Sequence, residues 1–246
     1  MPGAVGSAND AGEEPVADLL VVVPVLNEAA SLAGHLHALK SLRERGARVV
    51  VADGGSSDGS PEIARGLVDG VVSTGRGRAR QMNAGALACP ARVLLFLHAD
   101  TSLPDGADRL ILDAVASGGA WGHFDLHIDS TQPALQLVGT LMNLRSRLTG
   151  IATGDQALFM TGVAYRAVGG FPVLPLMEDI EMSRRLKRIG RPACLRQRVA
   201  TSARRWERGG IWRTVWLMWC LRAAYFLGAD PARLAVRYGH ERPESG

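Results

Sequence analysis

The sequence has few of the features that covalent or metal-stapled scaffolds need. Its three cysteines, Cys89, Cys194 and Cys220, are scattered through 246 residues with no Cys-x-x-Cys spacing and no nearby histidine pair. Neither a disulfide framework nor a structural zinc site is indicated, and a reducing compartment fits. No window of about 18 uncharged apolar residues occurs, which argues against an ordinary transmembrane helix. Residues 1–18 are rich in Gly, Ala, Pro and acid and lack a basic start followed by an apolar stretch, so they read as a disordered leader rather than a signal peptide. A cytoplasmic protein is expected. Gly-x-Gly-x-x-Gly and Gly-Lys-Ser/Thr are both missing, so hydride transfer and simple ATPase chemistry lose support. There is no internal repeat.

What is present describes a folded enzyme-sized unit. Hydrophobic residues make up 47% and charged residues 21%, ordinary values for a chain that folds as one large α/β domain. The formal net charge of +4 favours anionic partners such as nucleotide phosphates or acidic lipid. Nucleic acid is not expected, because no aromatics interleave the basic residues around Arg76 to Arg80.

Short β-branched runs at 19–25, 49–52, 70–73 and 93–97 read as buried parallel strands. Helical spacing at 28–45, 60–67 and 77–88 between them predicts a mostly parallel sheet with helices on both faces. Such sheets bind ligands at the carboxyl ends of their strands, so chemistry is expected just after Val25, Ala52 and Leu97. Beyond residue 105 the pattern predicts helices over 105–117, 133–148, 180–189 and 211–227. An alternating segment at 121–128 and a strand at 156–161 lie among them.

Polar residues stand at each expected strand end. The first strand runs out through Val23-Pro24-Val25-Leu26-Asn27-Glu28, where Pro24 marks the exit and Asn27 suits either a helix cap or a ligand contact. The second enters Asp53-Gly54-Gly55-Ser56-Ser57-Asp58-Gly59-Ser60. Its glycines allow close backbone approach to a ligand, and its residue types also suit a turn with a helix cap. The stretch from Gly75 to Gly85 includes Arg78 and Arg80, which can meet phosphates or simply face solvent, and Asn83. The fourth strand ends in His98-Ala99-Asp100, and one carboxylate there could hold a hard divalent cation against a diphosphate. His98 is a possible second ligand, although a lone histidine is more often structural. Gly154-Asp155-Gln156 and Glu178-Asp179 add acids at element junctions, where helix-dipole electrostatics would also favour them.

In this order the motifs resemble the family 2 glycosyltransferases, over roughly residues 19–206. The resemblance rests on Val-Pro-x-x-Asn-Glu, the Asp-Gly-Gly-Ser-x-Asp-Gly-Ser loop, the basic Ala-x-Gln-x-Asn-x-Gly helix, the acid after the fourth strand and the Glu-Asp pair. It implies a GT-A fold and a nucleotide-sugar-dependent, hexosyltransferase-like activity. Pro24, Asn27, Glu28, Asp53, Gly54, Asp58, Arg78, Arg80, Asn83 and Asp100 would face the donor. Asp100 would bind a divalent cation (Mn or Mg), and Asp179, with Glu178, would supply the base. Gly154, Asp155, Gln156, Arg205 and Trp206 would form an acceptor region. Two departures stand out. His98-Ala99-Asp100 lacks the first acid of the family's Asp-x-Asp, and Arg204-Arg205-Trp206 keeps only the end of the Gln-x-x-Arg-Trp motif of processive synthases, so a polymerase is not implied.

Leu-His-Ala-Asp-Thr and Gly-Asp-Gln look closest to a short bacterial subgroup associated with radical-SAM and arsenosugar genes, some of it named after carotenoid-acid glucosyltransferases. The acceptor implied is a small molecule or a lipid. Residues 207–246 read as a separate helical segment. Trp212, Trp216 and Trp219 with Arg213 and Arg222 suit either a membrane interface on the inner face of the cell membrane or packing on the domain. The rival readings are a sugar-phosphate nucleotidyltransferase and a catalytically silent nucleotide-sugar-binding protein.

Overall fold

A computed structural model describes residues 16–238, without the side chains of Arg205 and Arg208. Residues 1–15 of the expected leader (1–18) and the end of the expected C-terminal segment (239–246) lie outside the described residues.

The apolar runs fold as expected. β1 (Ala17–Val25), β2 (Arg48–Asp53), β3 (Gly70–Ser73) and β4 (Ala91–Phe96) are parallel in the order β3-β2-β1-β4. β1 starts two residues earlier than expected because Ala17 N–H donates to Pro90 O and Asp18 pairs with Arg92. Side chains alternate across the sheet. Leu19, Val21, Val23 and Val25 therefore enter one core layer and Leu20 and Val22 the other. The first layer is covered by α1 (Ala29–Ala38), α2 (Lys40–Glu44) and α3 (Ser60–Arg65), the second by α4 (Arg78–Leu87).

The single helix expected over 28–45 is two. Leu39 N–H donates to Leu36 O three residues back, a tightening that re-aims the chain so that Leu36, Leu39 and Leu42 are all buried.

The second half extends the same sheet with mixed pairing. β5 (Thr101–Ser102), α5 (Ala107–Ala116), β6 (Trp121–Asp129), α6 (Pro133–Thr149), β7 (Leu158–Thr161), α7 (Gly162–Ala167), α8 (Glu178–Leu186) and β8 (Ala193–Ser202) follow in chain order. The full order is β3-β2-β1-β4-β7-β6-β8-β5. β7 runs antiparallel to both β4 and β6, and β6 is parallel to β8 with a register shift between Phe124 and Asp125.

The alternating segment at 121–128 is a strand buried on both faces: Trp121 through Leu126 are all buried, with Phe124 and Leu126 in one core layer beside Leu135 and Val138 of α6 and Trp121 in the other beside Met182 and Leu186 of α8. Gly122 is required there, since a Cβ would lie 2.2 Å from Ala193 O. Residues 154–156 form a 3₁₀ turn rather than the start of a strand, and Ala157 sits at φ 49° before β7 begins. α8 begins at Glu178, so Glu178 and Asp179 lie inside its first turn and not ahead of it.

α9 (Arg204–Gly209), α10 (Ile211–Phe226) and α11 (Pro231–Tyr238) complete the described chain. Leu221 of α10 and Leu234 of α11 are buried with Ile151, Met177 and Ile180, so α10 packs on the sheet domain by one side. Its other side leaves Trp212, Trp216 and Trp219 66–72% exposed. No described helix is long and apolar enough to cross a membrane.

Candidate active site

The strand ends open onto one cleft of about 1980 Å³, lined by residues that follow β1 and β4, the start of α4, the 153–155 turn, residues 173–180 and faces of α6 and α10. This exceeds the ~300–1,000 Å³ of a pocket for one small ligand, which leaves space for a donor and an acceptor together.

The loops after β1 and β2 are stitched to each other. Asn27, at φ 55°, accepts from Ser57 N–H and donates its own N–H to Ser56 Oγ, both at 2.9 Å. It does not cap α1. The helix start is held from the other loop instead: Glu28 N–H donates to Ser60 Oγ and Ala29 N–H to Asp58 Oδ2. Bonds from the Ser60 hydroxyl and the Ala29 amide keep the Asp58 carboxyl below its usual range.

Asp53 is buried and accepts the Gly55 and Ser56 amides, so the turn suggested by its sequence forms around its carboxylate. Asp53, Asn27 and Asp58 thus brace the two loops beside the cleft, Asp53 from a buried position and Asn27 and Asp58 from exposed ones. Asn83 Oδ1 accepts from Tyr165 Oη and Phe171 N–H while its Nδ2 donates to Phe171 O, which fixes the loop after α7. Pro24, Glu28, Arg78, Arg80 and Asp100 do line the cleft.

Gln81 was not singled out from the sequence, although it stands in the Ala-x-Gln-x-Asn-x-Gly stretch. Its buried Nε2 donates to Val25 O at 2.6 Å and Ala52 O at 3.0 Å, so one side chain holds the ends of β1 and β2. Gly54 packs against it so closely that a Cβ would lie 2.9 Å from the Gln81 amide.

Across the cleft, Gly154 is the pivot. Its N–H donates to Asp179 Oδ2 at 2.9 Å, and a Cβ there would lie 2.4 Å from His98 Nε2. His98 Nδ1 is 3.1 Å from Asp155 Oδ1, which ties the segment after β4 to the 154–156 turn. Its Nε2 is buried with no hydrogen-bond partner among the described residues. Asp179 Oδ1 accepts Ile180 N–H at 2.7 Å. Gln156, expected near an acceptor, is fully buried instead, with its Nε2 donating to Ser146 Oγ and Phe124 O and its Oε1 accepting from Thr153 N–H. Trp206 is half-buried against the core and reaches the cleft. The Arg205 side chain lies outside the described residues.

No group of three or more His, Cys, Asp or Glu gathers among the described residues. His98 is committed to Asp155, and Asp100 offers one half-exposed carboxylate in the cleft. That donor set fits a hard cation that takes its other ligands from a diphosphate and water.

Glu178 is buried, with Arg78 Nη1 3.7 Å from its carboxylate. Burial and then the neighbouring Asp179 push its pKa up, against the pull of Arg78. The folded protein therefore keeps a proton on Glu178 at pH values where the unfolded chain has released it, and stability declines as pH rises from the ordinary glutamate range towards the raised value. Glu178→Gln, which cannot ionise, should match the wild type below about pH 4 and melt a few degrees higher at pH 7 to 8. Calorimetry across that range measures it, and identical profiles would show that Glu178 is not held protonated.

Residues 20–163 match the family model described as Glycosyl transferase family 2. The chain is 32% identical over 202 residues to the succinoglycan biosynthesis protein ExoA of Rhizobium meliloti (strain 1021), an alignment covering 70% of this chain and 58% of the relative. Among solved structures it is similar to the mannosyltransferase PcManGT from Pyrobaculum calidifontis in complex with GDP-Man and Mn2+, with a TM-score of 0.63, 20% identity and coverage of 93% of this chain and 66% of that one. It is also similar to S. aureus TarS 1-349 in complex with UDP-GlcNAc, with a TM-score of 0.61, 14% identity and coverage of 75% and 58%. In each case the chain spans less than two thirds of the relative's length.

Proposed function

The chain belongs to glycosyl transferase family 2 and carries a GT-A-type fold, and from that premise we propose that it moves a sugar from a nucleoside-diphosphate donor to an acceptor hydroxyl in the cleft. One observation carries the reading. Asp100, Arg78, Arg80 and the Glu178–Asp179 pair, which lie far apart in sequence, line the same cleft at the strand ends.

The donor diphosphate lies by Asp100, with the base and ribose towards the stitched loops of residues 24–28 and 53–60. A divalent cation, Mn or Mg, held by Asp100 would act as a Lewis acid on the departing diphosphate. Arg78 and Arg80 offset the negative charge that grows there as the glycosidic bond breaks. Asp179, held by the Gly154 and Ile180 amides, takes the proton of the attacking hydroxyl. With one carboxylate as base and no protein nucleophile, displacement is direct and the anomeric configuration inverts. A product retaining the donor's configuration overturns that step.

Gly154, Asp155 and Trp206 border the acceptor, which is a small molecule or lipid-linked. The exposed tryptophans of α10 favour a lipid at the inner membrane face.

Thermal unfolding with UDP, GDP and dTDP sugars, each with and without Mn, tests the reading. One nucleotide series should raise the melting temperature by roughly 5 to 10 °C at saturating concentration, and only with metal. No shift with any donor would overturn it.

A further inference from the structure

Two arginines in the cleft wall have no part in the transfer chemistry above. Arg145 on α6 and Arg222 on α10 both line the cleft, and the Nε of each is buried with no hydrogen-bond partner among the described residues. The one hydrogen bond from either guanidinium among the described residues is Arg145 Nη2 to Ile151 O at 3.4 Å. Neither forms an ion pair among the described residues. Asp155 and Asp179 act on both only at longer range, and Arg222 repels Arg145. Burial lowers both pKa values, that of Arg145 to about 10, so both remain charged at neutral pH. Two like charges held together on half-buried side chains without contacting counter-charges are costly, and a bound anion offsets that cost.

The elements that carry them have a second feature in common. Leu137, Leu141, Leu144 and Leu148 recur at i, i+4, i+7 and i+11, all more than half exposed, and run along the cleft-lining face of α6. Trp212 and Trp219 continue the apolar lip on α10. The charged pair thus shares one cleft and the same two helices with apolar stripes that open to solvent, so the ligand it suits has an anionic head and an apolar tail. Two guanidiniums match the charge and the several acceptor oxygens of a phosphate monoester better than those of a carboxylate.

We propose, resting on the glycosyl-transfer reading, that Arg145 and Arg222 form a phosphate site for the head of an amphipathic acceptor whose chain lies along the leucine and tryptophan stripes. The head would carry the attacking hydroxyl beside this phosphate and would bring it to Asp179 from this side, opposite the donor phosphates held near Arg78 and Arg80.

Isothermal titration of the full chain with farnesyl phosphate, farnesol and inorganic phosphate tests the site, with the lipids kept below their micelle-forming concentrations. The wild type should bind farnesyl phosphate about 10- to 100-fold more tightly than either fragment, a span set by charge-assisted hydrogen bonds. Arg145→Gln and Arg222→Gln should each lose most of that preference. Equal binding of farnesol would overturn the phosphate site, and inorganic phosphate binding as tightly as farnesyl phosphate would identify a free-phosphate site and overturn the amphipathic acceptor. Glutamine variants that keep the full preference would overturn the assignment of these two arginines. The wild-type comparison of the three ligands stands even if a variant fails to fold. UDP and GDP titrated in the same series report on the transfer reading separately, because neither is assigned to Arg145 or Arg222.

Discussion

Replacing Asp179 by asparagine should reduce turnover by about 100- to 10,000-fold, the range for loss of a positioned general base, while donor affinity stays within about threefold. Both carboxylate oxygens already accept a backbone amide, one from Gly154 and one from Ile180. Those bonds fix the side chain and leave further lone pairs for an acceptor proton. An asparagine has one oxygen, so one of the two amides loses its acceptor at a cost of roughly 1 to 3 kcal/mol. A drop of a few degrees in melting temperature should accompany the kinetic loss. Separating the effects requires kcat and donor affinity measured well below the variant's melting point. A variant that keeps more than about a tenth of wild-type turnover under those conditions would remove Asp179 as base.

Asp100→Asn should abolish the dependence of donor binding on metal and lower transfer by about 100- to 1,000-fold, the several kcal/mol that a Lewis acid contributes at a departing diphosphate. The substitution preserves shape and removes charge. Because no group of three or more His, Cys, Asp or Glu gathers among the described residues, little remains to hold the cation. Binding of the free nucleoside without metal should be unchanged. A Mn titration of donor binding in both proteins decides the matter, and an unchanged Mn response in the variant would move the cation elsewhere.

How far the sequence shows this site depends on which physical signal each residue carries. Strands buried on both faces read as nearly continuous apolar runs, so β1, β2 and β4 and the polar residues beyond them were legible. β8 was not, since Arg196, Gln197 and Arg198 are exposed in mid-strand and break any apolar or alternating pattern. The residue types of the 53–60 loop gave its turn, but not that Asp53 and Asp58 would spend their carboxylates on backbone amides. Gln81, Arg145 and Arg222 left no local trace. A lone polar residue in a helix looks like surface until tertiary packing buries it. The positive φ of Met177 ahead of α8, which fixes the entry to the helix start holding Glu178 and Asp179, is likewise unannounced by its residue type.

The double tie made by Gln81 also bears on how such a protein can change over time. The ends of β1 and β2 and the two loops stitched across them form one unit, so a substitution in any part of it disturbs all of it. The opposite wall is built from separate helices whose cleft-facing side chains make few such bonds. With donor and acceptor placed as proposed, a lineage can keep its donor while trading acceptors one helix face at a time, with innovation confined to the half of the cleft that the strand ends do not brace.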